Sequence, residues 1–268
     1  MNNRPIGVFD SGMGGLTVMR ALMRRLPYES FVYLGDTARL PYGTKSRETV
    51  ERYAVQASRA LVARDVKMVV VACNTASVSL PAVEAALAPL PVIGVIGPGA
   101  EAAAKAAPSG RIAVIATEGT VNCGAYVHAI HARAPKAAVF QAACPLFVPI
   151  AEEGLTQGPI ALAIAERYLG PLVARAKPNA LLLGCTHYPV LRDVIRQAAG
   201  DVALVDSAET TAQAVAALLE EKDLSGRGTR AQTCAFLVTD APDRFARVGE
   251  IFLGQPIAAG KVELVDLQ

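Results

Sequence analysis

Two cysteines stand in matching surroundings. In Val69–Ser77, VVVACNTAS, an apolar run ends in a small residue, Cys73, and then Asn74, Thr75 and Ser77. In Leu181–Pro189, LLLGCTHYP, a second run ends in a small residue, Cys185, and then Thr186 and His187. Two thiols facing each other across one ligand suit one kind of chemistry, in which a proton leaves one face of a carbon and another arrives at the opposite face. A single base tends to return it to the same face. The reacting form is the thiolate, yet a free thiol with a pKa of about 8.5 is only a few per cent ionised at neutral pH. Raising that share to about half takes roughly 2 kcal/mol, and the amide end of a helix following each cysteine acts in that direction. The plainer reading of a buried cysteine is a small hydrophobe, and it serves for Cys123, Cys144 and Cys234. Cys73 and Cys185 differ by their shared position at a strand end. Cys73, Cys185, His187 and Asp10 are also residue types that bind zinc, but only the C-x-H at 185–187 has local spacing, and no C-x-x-C redox pair occurs. His187 reads either as a satisfied core residue or, two positions past a thiol, as an auxiliary base.

Each stretch reads as a buried parallel strand that delivers its cysteine to the carboxyl end, where open α/β sheets bind ligands. Strand Ile6–Phe9 likewise ends in polar groups, Asp10 and Ser11, followed by Gly12-Met13-Gly14-Gly15 and a helix Leu16–Leu26. This turn lacks both the dinucleotide G-x-G-x-x-G spacing and a P-loop lysine, so its glycines read as a tight strand-to-helix turn. Strand Ser30–Gly35 leads to a loop carrying Tyr42 and Gly43, and Ser46 caps a helix to about Arg64. Strand Met68–Ala72, a helix from Thr75 to Ala88 and strand Val92–Val95 follow. After Gly97-Pro98-Gly99 the pattern restarts with helix Ala100–Ala107 and strand Ile112–Ala116, which ends in Thr117-Glu118-Gly119-Thr120. Next come a helix to about Arg133, strand Ala137–Gln141, and a loop CPLFVPIAEEG holding Glu152 and Glu153, a pair that by itself reads as solvated surface. Helix 159–175, strands Ala180–Leu183 and Ala203–Val205, and a helix capped by Ser207 and running to about Glu221 complete this part. The linker SGRGTRAQ precedes strand Thr233–Val238, helix Asp243–Leu253 and a last strand near Val262–Val265, expected to complete the first sheet. IGVFDSG at 6–12 and IAVIATEG at 112–119 share a strand with a polar end. Their offset is nearly that of the two cysteines, so the chain reads as two similar α/β halves with parallel sheets.

Composition narrows the classes. The 268 residues are 52% apolar and 19% charged, enough to bury a sizeable core and too apolar for a disordered chain. Lys and Arg number 26 against 24 acids, with no basic run, so no direct nucleic-acid binding is expected. The longest uncharged stretch, Ala85–Ala100, is too short to span a bilayer and is broken by Pro89, Pro91 and Pro98. The start, MNNRPIGVFDSG, lacks the apolar core of a signal peptide, and five cysteines without paired spacing read as reduced thiols. The expectation is a cytoplasmic protein without a membrane partner.

Taken in order, DSGMGGLTV, GDTARLPYG, ACNTAS, CPLFVP and GCTHYP resemble the motifs of the glutamate racemases, in the aspartate/glutamate racemase family, from about Ile6 to the last helix. The resemblance implies two pseudosymmetric α/β domains, residues 1–95 plus 208–268 and residues 96–207, with the active site in the cleft between them. It implies a homodimer that interconverts L- and D-glutamate without metal or cofactor, supplying D-glutamate for peptidoglycan. By motif position Cys73 and Cys185 match the two acid/base thiols, and Asp10, Glu152 and His187 the groups that assist them. Asp10, Ser11, Tyr42, Gly43, Asn74, Thr75, Thr186 and His187 match substrate contacts, with Thr117 and Thr120 as additions. Cys123, where relatives often carry serine, departs from the pattern. Hydroxyls, Asn74 and backbone amides can hold both carboxylates of the substrate without an arginine. The alternatives are an aspartate racemase or another two-thiol amino-acid racemase, and, from a different class, a non-catalytic module binding an anionic metabolite or a protein.

Overall fold

The computed structural model describes residues 2–226 and 232–267, so most of the linker SGRGTRAQ lies outside the described residues. Strands β1 (Ile6–Asp10), β2 (Phe31–Gly35), β3 (Met68–Val71) and β4 (Val92–Gly94) begin one sheet. Strands β5 (Arg111–Ala116), β6 (Ala138–Ala143), β7 (Ala180–Gly184) and β8 (Ala203–Asp206) form a second, and β9 (Cys234–Val238) and β10 (Val262–Leu264) return to the first. All pairings are parallel, in the orders β10-β9-β2-β1-β3-β4 and β6-β5-β7-β8. The run β2-β1-β3-β4 and the whole second sheet therefore have the same topology. Asp10 and Cys73 follow adjacent strands β1 and β3, and Thr117 and Cys185 follow adjacent strands β5 and β7. The repeat read from strand ends is thus present in the strand order.

Helices α1 (Leu16–Arg25), α2 (Arg47–Val62), α3 (Asn74–Ser77) and α4 (Leu80–Leu87) connect the first strands. Helices α5 (Ile96–Ala106), α6 (Glu118–Asn122), α7 (Ala125–His131), α8 (Phe147–Glu152), α9 (Gly158–Ala176) and α10 (Arg192–Ala199) surround the second sheet. Helix α11 (Ser207–Glu221) leads back and packs on α1, and α12 (Pro242–Leu253) lies between β9 and β10 in the chain. Leu16, Met19 and Leu22 on the inner face of α1 join Val215 and Leu219 of α11, Phe245 and Phe252 of α12, and Ile115, Leu181 and Leu183 of the second sheet in one continuous core. Two smaller clusters fill the far faces, one under α2 and α4, the other under α5 and α7.

Several local expectations are corrected, each for a backbone reason. The single helix expected from Thr75 to Ala88 is two helices. Pro81 has no N–H to give a continuing helix, but it fits the first turn of one that restarts at Leu80. Pro98 likewise sits inside the first turns of α5, so that helix begins at Ile96 and not after Gly99. The helix expected to run to Arg133 is split at Gly124, whose φ of +65° lies in the left-handed region. The expected loop CPLFVPIAEEG contains α8, because Pro149 occupies its first turn, where no N–H is needed. Helix α11 is capped by Asp206, whose carboxylate accepts from the Ala208 amide at 2.8 Å; Ser207 is its first residue.

The end of the first sheet opposite the cysteines is held by a buried ion pair. The Lys67 ammonium, just before β3, donates to Glu29 and to the carbonyls of Asn2 and Leu224, while Glu29 accepts from the Gly226 amide. This ties the N-terminal segment, the start of β2 and the segment leaving α11 to one point. Removing one partner of such a pair leaves a buried unpaired charge. Lys67→Met is expected to lower the unfolding free energy by about 3 kcal/mol in urea titration, with Lys67→Met plus Glu29→Leu regaining part of the loss.

Candidate active site

Both cysteines emerge where a strand stops. Cys73 lies two residues past β3 and Cys185 directly after β7, each 5% exposed. Cys73 is the N-cap of the short helix α3, and its sulfur accepts from the Ala76 amide at 3.4 Å; the Ser11 hydroxyl lies 3.5 Å away. Burial, then the neighbouring Asp10 carboxylate, push the Cys73 thiol up to about 12 against the help of Ser11 and Ala76, so it rests protonated. Charge on Cys185 adds to this rise. Cys185 is not followed by a helix amide end as expected. The chain instead passes through Thr186 and His187 into a 3-10 turn, Tyr188–Leu191, and the nearby positive group is the imidazole. His187 Nδ1 lies 3.9 Å from Cys185 Sγ.

Behind the imidazole, His187 Nε2 faces Glu152 Oε1 at 3.1 Å. Burial by itself would lower the His187 pKa, but hydrogen bonds to Cys185 and Glu152 and the charges of Cys185 and Asp10 raise it to about 10. Glu152 shows the opposite balance: burial favours its neutral form, but hydrogen bonds from His187 and Arg244 hold it below the usual carboxylate range. Of the two glutamates read as surface, Glu153 is exposed and Glu152 turns inward. Asp10 is raised by burial, opposed by His187 and by the amides of Gly15, Gly12 and Ser11; its Oδ2 accepts from Gly12 at 2.9 Å, while Oδ1 has no hydrogen-bond partner among the described residues. The turn after β1 is glycine because it passes against this machinery. A Cβ at Gly14 would stand 2.3 Å from His187 Nδ1 and 2.6 Å from the Thr186 hydroxyl.

The polar residues gather where the halves meet. The Thr75 hydroxyl lies 3.1 Å from that of Thr117 and 3.3 Å from that of Thr120, joining α3 to the start of α6. Thr117 also caps α6 by accepting from the Thr120 amide. Gly43 packs against Thr117, and a Cβ on Gly119 would meet the Gly43 carbonyl at 2.8 Å, so these loops approach as only glycines allow. The Thr17 hydroxyl lies 2.9 Å from the Thr186 carbonyl. With its amide nitrogen toward the Gly184 carbonyl (3.3 Å) and its oxygen toward the Thr186 amide (3.2 Å), Asn74 bridges the two sheets, and Tyr126 Oη stands 2.6 Å from it. Tyr42 is also at this junction, but its buried hydroxyl donates to Asp36 at 2.5 Å, which leaves the backbone of Tyr42-Gly43 as the available surface of that loop.

The structure thus brings Asp10, Ser11, Cys73, Asn74, Thr75, Thr117, Thr120, Glu152, Cys185, Thr186 and His187 to one junction, with Tyr42 and Gly43 at its edge. Four supporting residues escaped the reading of the sequence: Asp36 behind Tyr42, Tyr126 behind Asn74, Arg244 on Glu152, and Phe252, whose ring meets the His187 ring edge-on at 5.0 Å. Asp36 lies six positions before Tyr42 within GDTARLPYG, whereas Tyr126, Arg244 and Phe252 sit far along the chain from the residues they serve and lack any local signal. Among the described residues, no group of three or more His, Cys, Asp or Glu is arranged to hold a metal ion, and no helix is long and apolar enough to cross a membrane. Chemically, the arrangement offers two sulfurs with unlike neighbours, a carboxylate beside one and an imidazolium beside the other, amid hydroxyls and amides able to hold an anion.

The family model for Asp/Glu/Hydantoin racemase matches residues 6–215. A glutamate racemase of Geobacter metallireducens is 48% identical over 267 residues, covering 99% of this chain and 97% of the relative. The crystal structure of glutamate racemase from Francisella tularensis in complex with D-glutamate superposes with a TM-score of 0.92 at 39% identity, covering 100% of this chain and 99% of that one. An aspartate racemase of Picrophilus torridus shares the fold, with a TM-score of 0.59 at 18% identity over 82% of this chain and 94% of that one.

The raised His187 pKa sets an expectation for its titration. The imidazole should stay doubly protonated until about pH 10, so its contribution to stability is complete below its ordinary value of 6.5 and disappears as pH rises through about 10. Nitrogen-15 spectra of histidine-labelled protein should show that transition, and Glu152→Gln should move it downward. A wild-type His187 transition near 6.5 would contradict the arrangement of imidazole, carboxylate and thiol.

Proposed function

The chain belongs to the Asp/Glu/Hydantoin racemase family, and from that premise we propose that it interconverts L- and D-glutamate by proton transfer between Cys73 and Cys185. The observation that carries the mechanism is the equivalence of the two thiols: each follows the same strand of one of two sheets with the same order, and each has its own charged partner. The α-hydrogen of an amino acid is weakly acidic, and the carbanion left by its removal pushes charge into the α-carboxylate. Hydroxyls of Ser11, Thr75, Thr117, Thr120 and Thr186, with the amides of the adjoining turns, are the donors to meet that charge as it develops. In the direction in which Cys185 takes the hydrogen facing it, Cys73, protonated at rest, delivers its proton to the other face. Roles then exchange for the opposite hand. Asp10 serves Cys73, while His187, held by Glu152, serves Cys185.

Glutamate is favoured over aspartate because the likeness to a glutamate racemase is near full-length at 48% identity, while that to an aspartate racemase extends to the fold alone. A binding module has no use for acid/base partners behind each sulfur. The same reading takes residues 1–95 plus 208–268 as one domain and 96–207 as the other, and sees the chain as a cytoplasmic homodimer that supplies D-glutamate for peptidoglycan; sedimentation of the purified protein checks the dimer.

Because the acceptor in one direction is the donor in the other, Cys73→Ala and Cys185→Ala should each lower kcat by several orders of magnitude in both directions with the fold intact. Cys123→Ala, Cys144→Ala and Cys234→Ala should keep near-normal turnover. In heavy water, product of opposite configuration should carry solvent deuterium at the α-carbon from its first appearance. Near-full activity in either the Cys73 or the Cys185 variant rejects the two-thiol mechanism.

A site shaped for the longer acid misplaces the α-carbon of the shorter one, which can cost about 100-fold in rate. Measured kcat/KM should therefore favour glutamate, and equal values for aspartate would move the assignment to an aspartate racemase.

A further inference from the structure

We propose that Arg244 is a positioning residue for proton transfer at Cys185, holding Glu152 so that the carboxylate fixes the His187 imidazole against the sulfur. The proposal rests on the two-thiol reading above. Arg244 Nη2 donates to Glu152 Oε2 at 2.9 Å, while Glu152 Oε1 faces His187 Nε2 at 3.1 Å. Each carboxylate oxygen therefore has its own partner, and the group is left one orientation. Guanidinium, carboxylate, imidazole and thiol form a single line ending at the Cys185 sulfur.

The exposures explain why an arginine suits this place. The Glu152 side chain is 14% exposed and that of Arg244 41%, so the carboxylate sits in a largely dry pocket while the cation facing it stays wetted. Arg244 supplies a counter-charge without itself being desolvated, and a charge-assisted hydrogen bond is roughly twice as strong as a neutral one. Helix α12 brings a second contact from the same face about two turns on, the Phe252 ring against the imidazole. One helix thus grips both the carboxylate and the ring.

This grip joins parts of the chain that pack on different sheets. Helix α12 lies between β9 and β10 of the first sheet, whereas Glu152 and His187 belong to the segments around β6 and β7 of the second. Arg244 and Phe252 of α12 thereby tie the segments that carry Glu152 and His187 to the first sheet.

The test is steady-state kinetics in both directions on wild type, Arg244→Gln, Arg244→Lys, Glu152→Gln and the double variant Glu152→Gln plus Arg244→Gln, with thermal melts confirming the fold of each. Arg244→Gln should lower kcat about tenfold while KM changes less than about threefold, the pattern of a lost transition-state contact. Arg244→Lys should recover activity to within about threefold of wild type, because an ammonium can still reach one carboxylate oxygen. In the Glu152→Gln background, Arg244→Gln should add less than about twofold, since the line is already cut. Equal losses in both backgrounds, an effect on KM alone, or wild-type kcat in Arg244→Gln would overturn the proposal. Cys185→Ala in the same series separates the two readings: an active wild type with a dead Cys185→Ala leaves the thiol mechanism standing whatever Arg244 does.

Discussion

A thiol taken out of water resists becoming a thiolate, and the surroundings of Cys73 and Cys185 are organised by that resistance. Burial pushes Cys73 far above its ordinary value, and the groups able to pull it back, the Ser11 hydroxyl and the Ala76 amide, come from the turns after β1 and β3. At Cys185 the opposing group is a full charge, an imidazolium held by a carboxylate. The two strand ends therefore solve one electrostatic problem in different ways. That difference suits a reaction in which one sulfur gives a proton while the other takes one.

The junction between the sheets follows from the same need. The two cysteines come from the carboxyl ends of strands in different sheets, and the sheets meet at those ends. The meeting is made by small, polar contacts: threonine hydroxyls in a triangle, the Asn74 amide between Tyr126 and the turn at Gly184–Thr186, and glycines where loops pass closely. Such contacts are individually weak and exchange readily for a ligand's carboxylates or for water. The stronger links lie away from the sulfurs, in the continuous core between α1, α11 and α12 and in the Lys67–Glu29 pair at the opposite end of the first sheet. The firm anchoring therefore lies at one end of the first sheet and the exchangeable contacts at the other.

Much of this was legible in the chain. Alternating strands and helices, apolar runs ending at a small residue and a cysteine, and two polar strand ends at nearly the same offset determined a pair of parallel α/β halves and placed both cysteines at strand ends. This works because strand burial and strand-end chemistry are local properties, written within about ten residues. The prolines at 81, 98 and 149 misled for the same local reason: a proline breaks a helix interior but opens a helix, and the choice depends on where the neighbouring turn finds its packing. What packing in three dimensions decided lies at longer range. Glu152 and Glu153 are adjacent and alike, yet one faces His187 and the other water. Arg244 is one arginine among many until α12 sets it against a carboxylate from the other half of the chain. The residue types and their places at strand ends were set by short stretches, while partnership and charge state came from burial and from contacts between distant segments, which no spacing along the chain encodes.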